Sequence, residues 1–325
     1  MQFAWGYVPP FVIEAAVSHG VFDALDAGPQ NLDQMHQTTG ASVRGLSAIM
    51  NVLVGLDLLK KDDDGLYSLT PESAAFLVST KPGFMGGLIR HTSNHLVPKW
   101  LQLSEIVATG KPARIVNQQD TGSEFFEKFV SDIFPMSYPA AQVLAKHLNL
   151  AEHNGPVTAL DLATGSGVWG IALAQSAPNL HVTAVDWPNV LNITRKTAAR
   201  FGMEDRFSFV AGDLLEADFG SGYTVATLGH ILHSEGEQRG RDLLSKTFKA
   251  LGSGGTIAIA EFLVDADRRG PVGSLFFAVN MLVNTSEGGT YSFEEISSWL
   301  REAGFENPRT LPAPGPSPLI LATKP

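Results

Sequence analysis

The sequence implies an α/β fold, with a mostly parallel sheet closed by an antiparallel hairpin and a smaller, mainly helical domain in front of it. Three observations carry this reading. From Val157 to Val185 an apolar run, a glycine-rich turn, an apolar helical pattern and a second apolar run follow one another, and the second run ends on Asp186. Apolar runs then keep alternating with helical patterns as far as Leu263, the pattern of βα units in a parallel sheet. Ahead of residue 95 the hydrophobic spacing is helical, broken by one short charged hairpin signal.

The N-terminal elements come first in the chain. Phe11 to Leu25 reads as an amphipathic helix, followed by helices over Asn31 to Thr39 and Ser42 to Leu59, the last with Leu46, Ile49, Leu53 and Leu56 inward. The segment KKDDDGLYSLT reads as a hairpin with a charged tip, so residues 1–95 have a winged-helix-like order of helix, helix, wing. Many winged helices bind DNA, which leaves a ligand-sensing regulator as a reading of another class. Its electrostatics are unfavourable, because the would-be recognition helix SVRGLSAIMNVL holds one arginine and the wing three consecutive aspartates. Residues 96–325 form the second domain, with a helical cap over 96–150 and the sheet over 151–325. The cap is expected to contain helices over Ser123 to Phe134 and Ser137 to Leu148. His91 and His95 stand at i, i+4 spacing, which permits a metal pair, but no third ligand with suitable spacing accompanies them.

The glycine turn carries the chemistry. Asp161 closes the first apolar run, and Gly165, Gly167 and Gly170 follow at GxGxxG spacing. Such glycines allow a sharp turn, close approach of backbone to a ligand, and tight packing of the next helix on the strand. Asp186, 21 positions after Gly165, falls where a carboxylate accepts both hydroxyls of a ribose. The pattern fits a nicotinamide dinucleotide as well as S-adenosylmethionine. Later elements separate them. Phe207 to Val210 leads into Ala211-Gly212-Asp213-Leu214, an acid at a third strand end that can meet an adenine amino group. Tyr223 to Leu228 and Thr256 to Leu263 follow, with an amphipathic helix between them carrying Leu243, Leu244, Phe248 and Leu251. Glu306 to Thr310 and Leu319 to Thr323 then form a terminal hairpin, where a dinucleotide fold would add further βα units.

The words DLATGSGVWG, VDWPNV, VAGDLLE, GHILHSEGE and GGTIAIAEF, in this order, resemble the small-molecule O-methyltransferase family. That family includes plant caffeic acid and isoflavone enzymes, hydroxyindole O-methyltransferase and bacterial tailoring methyltransferases. The resemblance covers residues 157–325 and, more weakly, the first 150. It implies a Rossmann-like class I methyltransferase domain of seven strands and S-adenosyl-L-methionine as cofactor, with S-adenosyl-L-homocysteine as product. It also implies a homodimer built by the first domain, whose helices cover the partner's pocket. The implied cofactor contacts are Asp161, Ala163, Gly165, Gly167, Asp186, Trp187, Asp213, Leu214 and His230. In the family a histidine after the fourth strand is the catalytic base, here His233, and a strand-end glutamate 28 positions on, here Glu261, orients it.

The acceptor is expected to be a small hydroxylated aromatic or conjugated compound, with no metal. Trp100, Met136, Tyr138, Asn280, Met281 and Asn284 are the candidate contacts, and Phe276 and Phe277 either line the pocket or pack the core. Three positions depart from the family. Ser234-Glu235 replaces Asp-Trp after the histidine, Gly229 stands where many plant members have lysine, and a second flanking acid is missing near Thr290 and Tyr291. Methylation of carbon or nitrogen, or a non-methylating reaction on the same fold, therefore stays open beside O-methylation.

Composition narrows the setting. A net charge of −10 argues against a nucleic-acid partner, whose affinity comes mainly from cationic contacts to phosphate. No apolar run approaches the about 18 residues that span a bilayer, and the N-terminus lacks a basic leader. Zero cysteines fit a reducing cytoplasm.

Overall fold

The computed structural model describes residues 3–113, 115–116, 129–153 and 155–325. The chain divides into two compact units, Met1–Leu101 and Gln102–Pro325.

The first unit packs helices α1 (Val8–Ser18), α2 (Val21–Asp26), α3 (Leu32–Thr39) and α4 (Val43–Gly55) around Phe22, Met35, Leu46, Met50 and Leu53. The single helix expected over Phe11 to Leu25 is two, because Gly20 takes a left-handed conformation (φ 66°) that breaks it. A capping box at Asn31 and Gln34 starts α3, and the Ser42 hydroxyl accepts the Gly45 N–H at the start of α4. Leu56, expected inward, lies past the end of α4 and is exposed. The charged segment is a hairpin, with β1 (Leu59–Lys61) antiparallel to β2 (Tyr67–Leu69). Its tip is closed by the Asp62 carboxylate, which accepts the Leu66 N–H at 2.8 Å. Tyr67 is fully buried, and its hydroxyl donates to Asn51 at 2.8 Å. Helices α5 (Pro71–Phe76), α6 (Gly86–His91) and α7 (Val97–Trp100) complete the unit, with a π-helical turn over Thr92–Leu96.

In the second unit α8 (Leu103–Thr109) and α9 (Phe134–Leu148) precede a βα alternation. The order is β3 (Val157–Leu162), α10 (Val168–Ser176), β4 (Leu180–Asp186), α11 (Pro188–Arg200), β5 (Phe207–Ala211), β6 (Tyr223–Gly229), α12 (Leu232–Glu235), α13 (Glu237–Ala250), β7 (Leu251–Ala260), α14 (Val272–Asn284), α15 (Phe293–Ala303), β8 (Glu306–Leu311) and β9 (Leu319–Thr323). Leu251 opens β7 and does not belong to the preceding helix. The cap helix expected from Ser137 begins at Phe134, while most of Ser123 to Phe134 lies outside the described residues.

The sheet runs β5-β4-β3-β6-β7-β9-β8, parallel through β7 and antiparallel in the β8–β9 hairpin. Side chains alternate between two cores, as the period of a strand requires. Ala159, Val182, Ala184, Val225 and Ala258 meet α9, α10 and α11 on one face. Leu160, Leu162, Val185, Leu228 and Ile259 meet α13 and α15 on the other. With both faces covered, only the ends of the strands are open to a ligand. The chain order reverses between β3 and β6, and such a switch point opens a crevice outside the carboxyl ends of the strands.

Candidate active site

The glycine turn after β3 is held from below. Asp161 is fully buried, and its carboxylate accepts the Thr164 hydroxyl at 2.7 Å, the Thr227 hydroxyl at 2.7 Å and the Gly170 N–H at 3.1 Å. Burial pushes its pKa up to about 6, against the lowering effect of those three bonds. Asp161 was expected at the cofactor; both of its oxygens accept hydrogen bonds from the protein, and the residue shapes the turn. Gly170 has to be glycine because a Cβ there would stand 2.8 Å from Val182 and 3.1 Å from the Asp161 carboxylate.

Asp186, at the end of β4, is partly exposed and accepts the Gly165 N–H at 2.9 Å and the Trp187 N–H at 2.7 Å. Burial raises its pKa to about 6, with Asp161 adding to the rise and the two N–H bonds opposing it, so it is ionised at pH 7. Thr194 on α11 closes the other side. Its hydroxyl donates to the Gly165 carbonyl at 2.8 Å, and its methyl would lie 3.0 Å from a Cβ at Gly167. Gly165 and Gly167 both have positive φ, 54° and 80°. Ala163 and His230, just past β3 and β6, also take left-handed conformations, at 51° and 60°. A strained non-glycine backbone costs about 1–3 kcal/mol and clusters where a ligand is clamped.

Asp213 lies beyond β5. Its carboxylate accepts the Leu215 N–H at 2.8 Å and pairs with Arg239 at 2.9 Å. Leu214 turns its side chain into the core. Asp186, Asp213 and the glycine turn thus gather at one edge of the sheet.

Past β6 stands the second group. His233, in α12, contacts the Glu261 carboxylate through Nδ1 at 2.7 Å, and its backbone N–H donates to the same carboxylate at 3.2 Å. Glu261 follows β7 and is buried. Burial alone would raise its carboxyl, but the charge of His233, its two hydrogen bonds and His230 outweigh burial and hold the carboxyl below its ordinary range. The Phe277 ring meets His233 edge-on at 4.8 Å between centroids and stacks on Phe262 at 3.8 Å. His230 lies 5.2 Å from Phe262, and its buried Nδ1 has no hydrogen-bond partner among the described residues. Burial lowers the His230 pKa to about 4, so its ring is neutral at pH 7. Donor atoms of His230, His233 and Glu261 lie within 4.8 Å of one another, a set capable of holding a metal ion. His233 and Glu261 direct their facing atoms at each other, which is the arrangement of an oriented base.

The remaining candidates divide. Asn284 donates to the Asn280 carbonyl at 2.9 Å and to its side-chain oxygen at 3.1 Å, and Met281 between them is buried. Phe276 is 64% exposed and packs in no core. Met136 is half-buried on the first turn of α9. The Tyr138 ring stacks on Phe134 and its hydroxyl donates to Gln175 at 2.7 Å, near the end of α10 remote from the glycine turn. Trp100 belongs to the first unit. His91, in that unit, is buried, with a pKa lowered to about 4 by burial and by His95 and Lys99. Thr164, Thr194, Thr227, Phe262 and Arg239 were missed by sequence reasoning. The threonines carry no motif of their own, but each lies one or two turns, or one neighbouring strand, from a residue that does.

Two carboxylates at strand ends and a tight turn of backbone suit a nucleoside with hydroxyls and an amine. Fold and site together therefore define a class I, S-adenosylmethionine-dependent methyltransferase. Residues 100–306 match the O-methyltransferase domain family, and residues 1–79 match the O-methyltransferase dimerisation domain. The chain belongs to the O-methyltransferase family and carries that family's module for forming a homodimer. It is 32% identical to the 3-hydroxy-5-methyl-1-naphthoate 3-O-methyltransferase of Streptomyces sahachiroi over 318 residues, covering 96% of this chain and 91% of that one. It is 29% identical to acetylserotonin O-methyltransferase of Gallus gallus over 331 residues, covering 94% and 90%. The crystal structure of human N-acetylserotonin methyltransferase in complex with SAM shares the fold, with a TM-score of 0.87 at 23% identity over 99% of this chain and 96% of that one. No helix among the described residues is long and apolar enough to cross a membrane.

Proposed function

We propose that this enzyme methylates a hydroxyl group on a small, fused or conjugated aromatic compound, with His233 as general base and Glu261 as the group that orients it. The observation that carries the reading is the 2.7 Å contact between His233 Nδ1 and Glu261. With Nδ1–H given to the carboxylate, Nε2 keeps its lone pair for the acceptor's proton. Relatives that act on a hydroxynaphthoate and on acetylserotonin support an aromatic acceptor.

Asp186 would hold the ribose hydroxyls and Asp213 the adenine amine, with Ala163, Gly165, Gly167, Trp187, Leu214 and His230 around the nucleoside and tail. When bound, the cofactor supplies an electrophilic methyl group on a sulfonium. His233 Nε2 removes the acceptor's proton, and Glu261 stabilises the imidazolium that results. The Phe262–Phe277 stack keeps water from the ring, so the proton passes to His233 and not to solvent. The Asn280–Asn284 pair, Met136, Met281 and Trp100 are assigned to the acceptor side. Residues 1–95 serve dimerisation, 96–150 cap the crevice and 151–325 form the catalytic core. In this reading the enzyme acts in the cytoplasm and needs no metal.

His233→Ala is expected to lower methyl transfer by about a hundredfold or more, the contribution of a positioned base, while S-adenosylhomocysteine affinity stays within about twofold. Single-turnover kinetics and calorimetry on the same preparation measure both. Unchanged turnover would remove His233 from the mechanism. A thermal-shift panel of phenols in the presence of S-adenosylhomocysteine then selects the acceptor.

A further inference from the structure

We propose that Arg239 is a positioning residue for the cofactor's adenine: it holds the Asp213 carboxylate in the one orientation that receives the amino group, and Glu235 anchors it. Arg239 lies in the first turn of α13. Its Nε donates to Glu235 at 2.7 Å and its Nη2 to Asp213 at 2.9 Å, so one guanidinium spans both acids. Glu235 is buried, at 7% exposure, and stands two residues after His233. It occupies the position where the family pattern has tryptophan. The departure that looked like a loss in sequence is therefore the anchor of an ion-pair network.

The same helix grips the rest of the adenine-side loop. Lys246, two turns on, donates to the carbonyls of Leu214 at 3.0 Å, Leu215 at 2.9 Å and Ala217 at 2.6 Å. Asp213 Oδ1 takes the Leu215 N–H at 2.8 Å while Oδ2 takes Arg239. Each oxygen then has one bond to the protein and a lone pair left, and the plane of the carboxylate is set. Arg239 is 42% exposed at the side chain, and exposed pairs add little stability. A two-pronged charge-assisted contact instead adds geometric specificity. The expected effect is on recognition, not on folding.

This inference rests on the nucleoside seat proposed above, and the test separates the two. Calorimetry on the full-length enzyme compares S-adenosylhomocysteine with S-inosylhomocysteine, in which a carbonyl replaces the adenine amine. The wild type is expected to prefer the adenosyl compound by about ten- to hundredfold, the size of one hydrogen bond to a charged group. R239Q is expected to compress that preference to about threefold or less, with a melting temperature within about 2 °C of the wild type. R239K, which keeps the charge but not the fork, is expected to fall between and guards against loss of fold in R239Q. If R239Q weakens both compounds equally and keeps the wild-type preference, Arg239 is merely structural and the proposal is overturned. If the wild type itself does not discriminate, Asp213 does not read the amine, and the seat and the proposal fall together.

Discussion

Gly229 shows how much one residue depends on its neighbour in space. The position holds lysine in many plant relatives, and in this chain a Cβ there would stand 1.9 Å from the Trp169 indole nitrogen. Trp169, in the helix that follows the glycine turn, is buried, and its indole ring sits against Gly229 at the end of β6. The departure at Gly229 and the tryptophan of the glycine-turn motif, unrelated in sequence, are one packing event. Gly229→Ala is expected to lower stability by about 1–3 kcal/mol, the usual cost of overpacking, and to displace Trp169. Thermal unfolding with tryptophan fluorescence reads both, and a fully native melting point would disprove the contact. At this scale the contact between His233 and Glu261 was legible, since leucine-histidine after one strand and glutamate at the end of the next are local signals. The three internal bonds of Asp161 were not legible, because a strand-end acid looks the same in sequence whether it faces a ligand or three donors of its own protein.

At the scale of elements, the crevice lies at the ends of the parallel strands, and helices packed on the sheet hold loops at that end: α11 ties the glycine turn and α13 the loop after β5. α11 is the clearest case. Thr194 ties the Gly165 carbonyl to the helix at 2.8 Å, so the glycine turn cannot relax without moving α11. Thr194→Val keeps the shape and removes the donor, leaving that carbonyl unpaired. S-adenosylhomocysteine is expected to bind about three- to thirtyfold more weakly while kcat at saturating cofactor changes little, a split that steady-state kinetics detects. An unaltered KM for the cofactor would mean that the turn is rigid on its own. Strand and helix existence was readable from periodicity, as in β3, β4 and α10. Boundaries were not: Gly20 divided one expected helix, and Leu251 passed from helix to strand, because caps and sheet pairing decide where an element stops.

For the whole molecule, the exposed aromatic residues of the first unit are the informative feature. Phe3, Trp5, Tyr7 and Phe11 are 100%, 60%, 58% and 40% exposed, and the rings of Trp5, Tyr7 and Phe11 lie 6.3 and 6.5 Å apart in sequence. An exposed apolar cluster of this kind is the form an interaction surface takes, so the dimer interface is expected to include it. Replacing Trp5, Tyr7 and Phe11 together by serine is expected to shift the enzyme from dimer to monomer by sedimentation velocity. A dimer that persists in the triple variant would place the interface elsewhere.

Local pattern was enough to establish the architecture and the cofactor class and to nominate His233 and Glu261 as a pair, because each depends on spacing along the chain: glycines at a turn, an acid at a strand end, a histidine after the next unit. Tertiary structure alone decided which acids face the crevice, why Gly229 is glycine, and that Glu235 and Asp213 meet at Arg239. Those facts depend on residues that are 4 to 66 positions apart in the chain and a few ångströms apart in space. Hydrogen bonding and exclusion of volume act over the second distance and leave no period in the first.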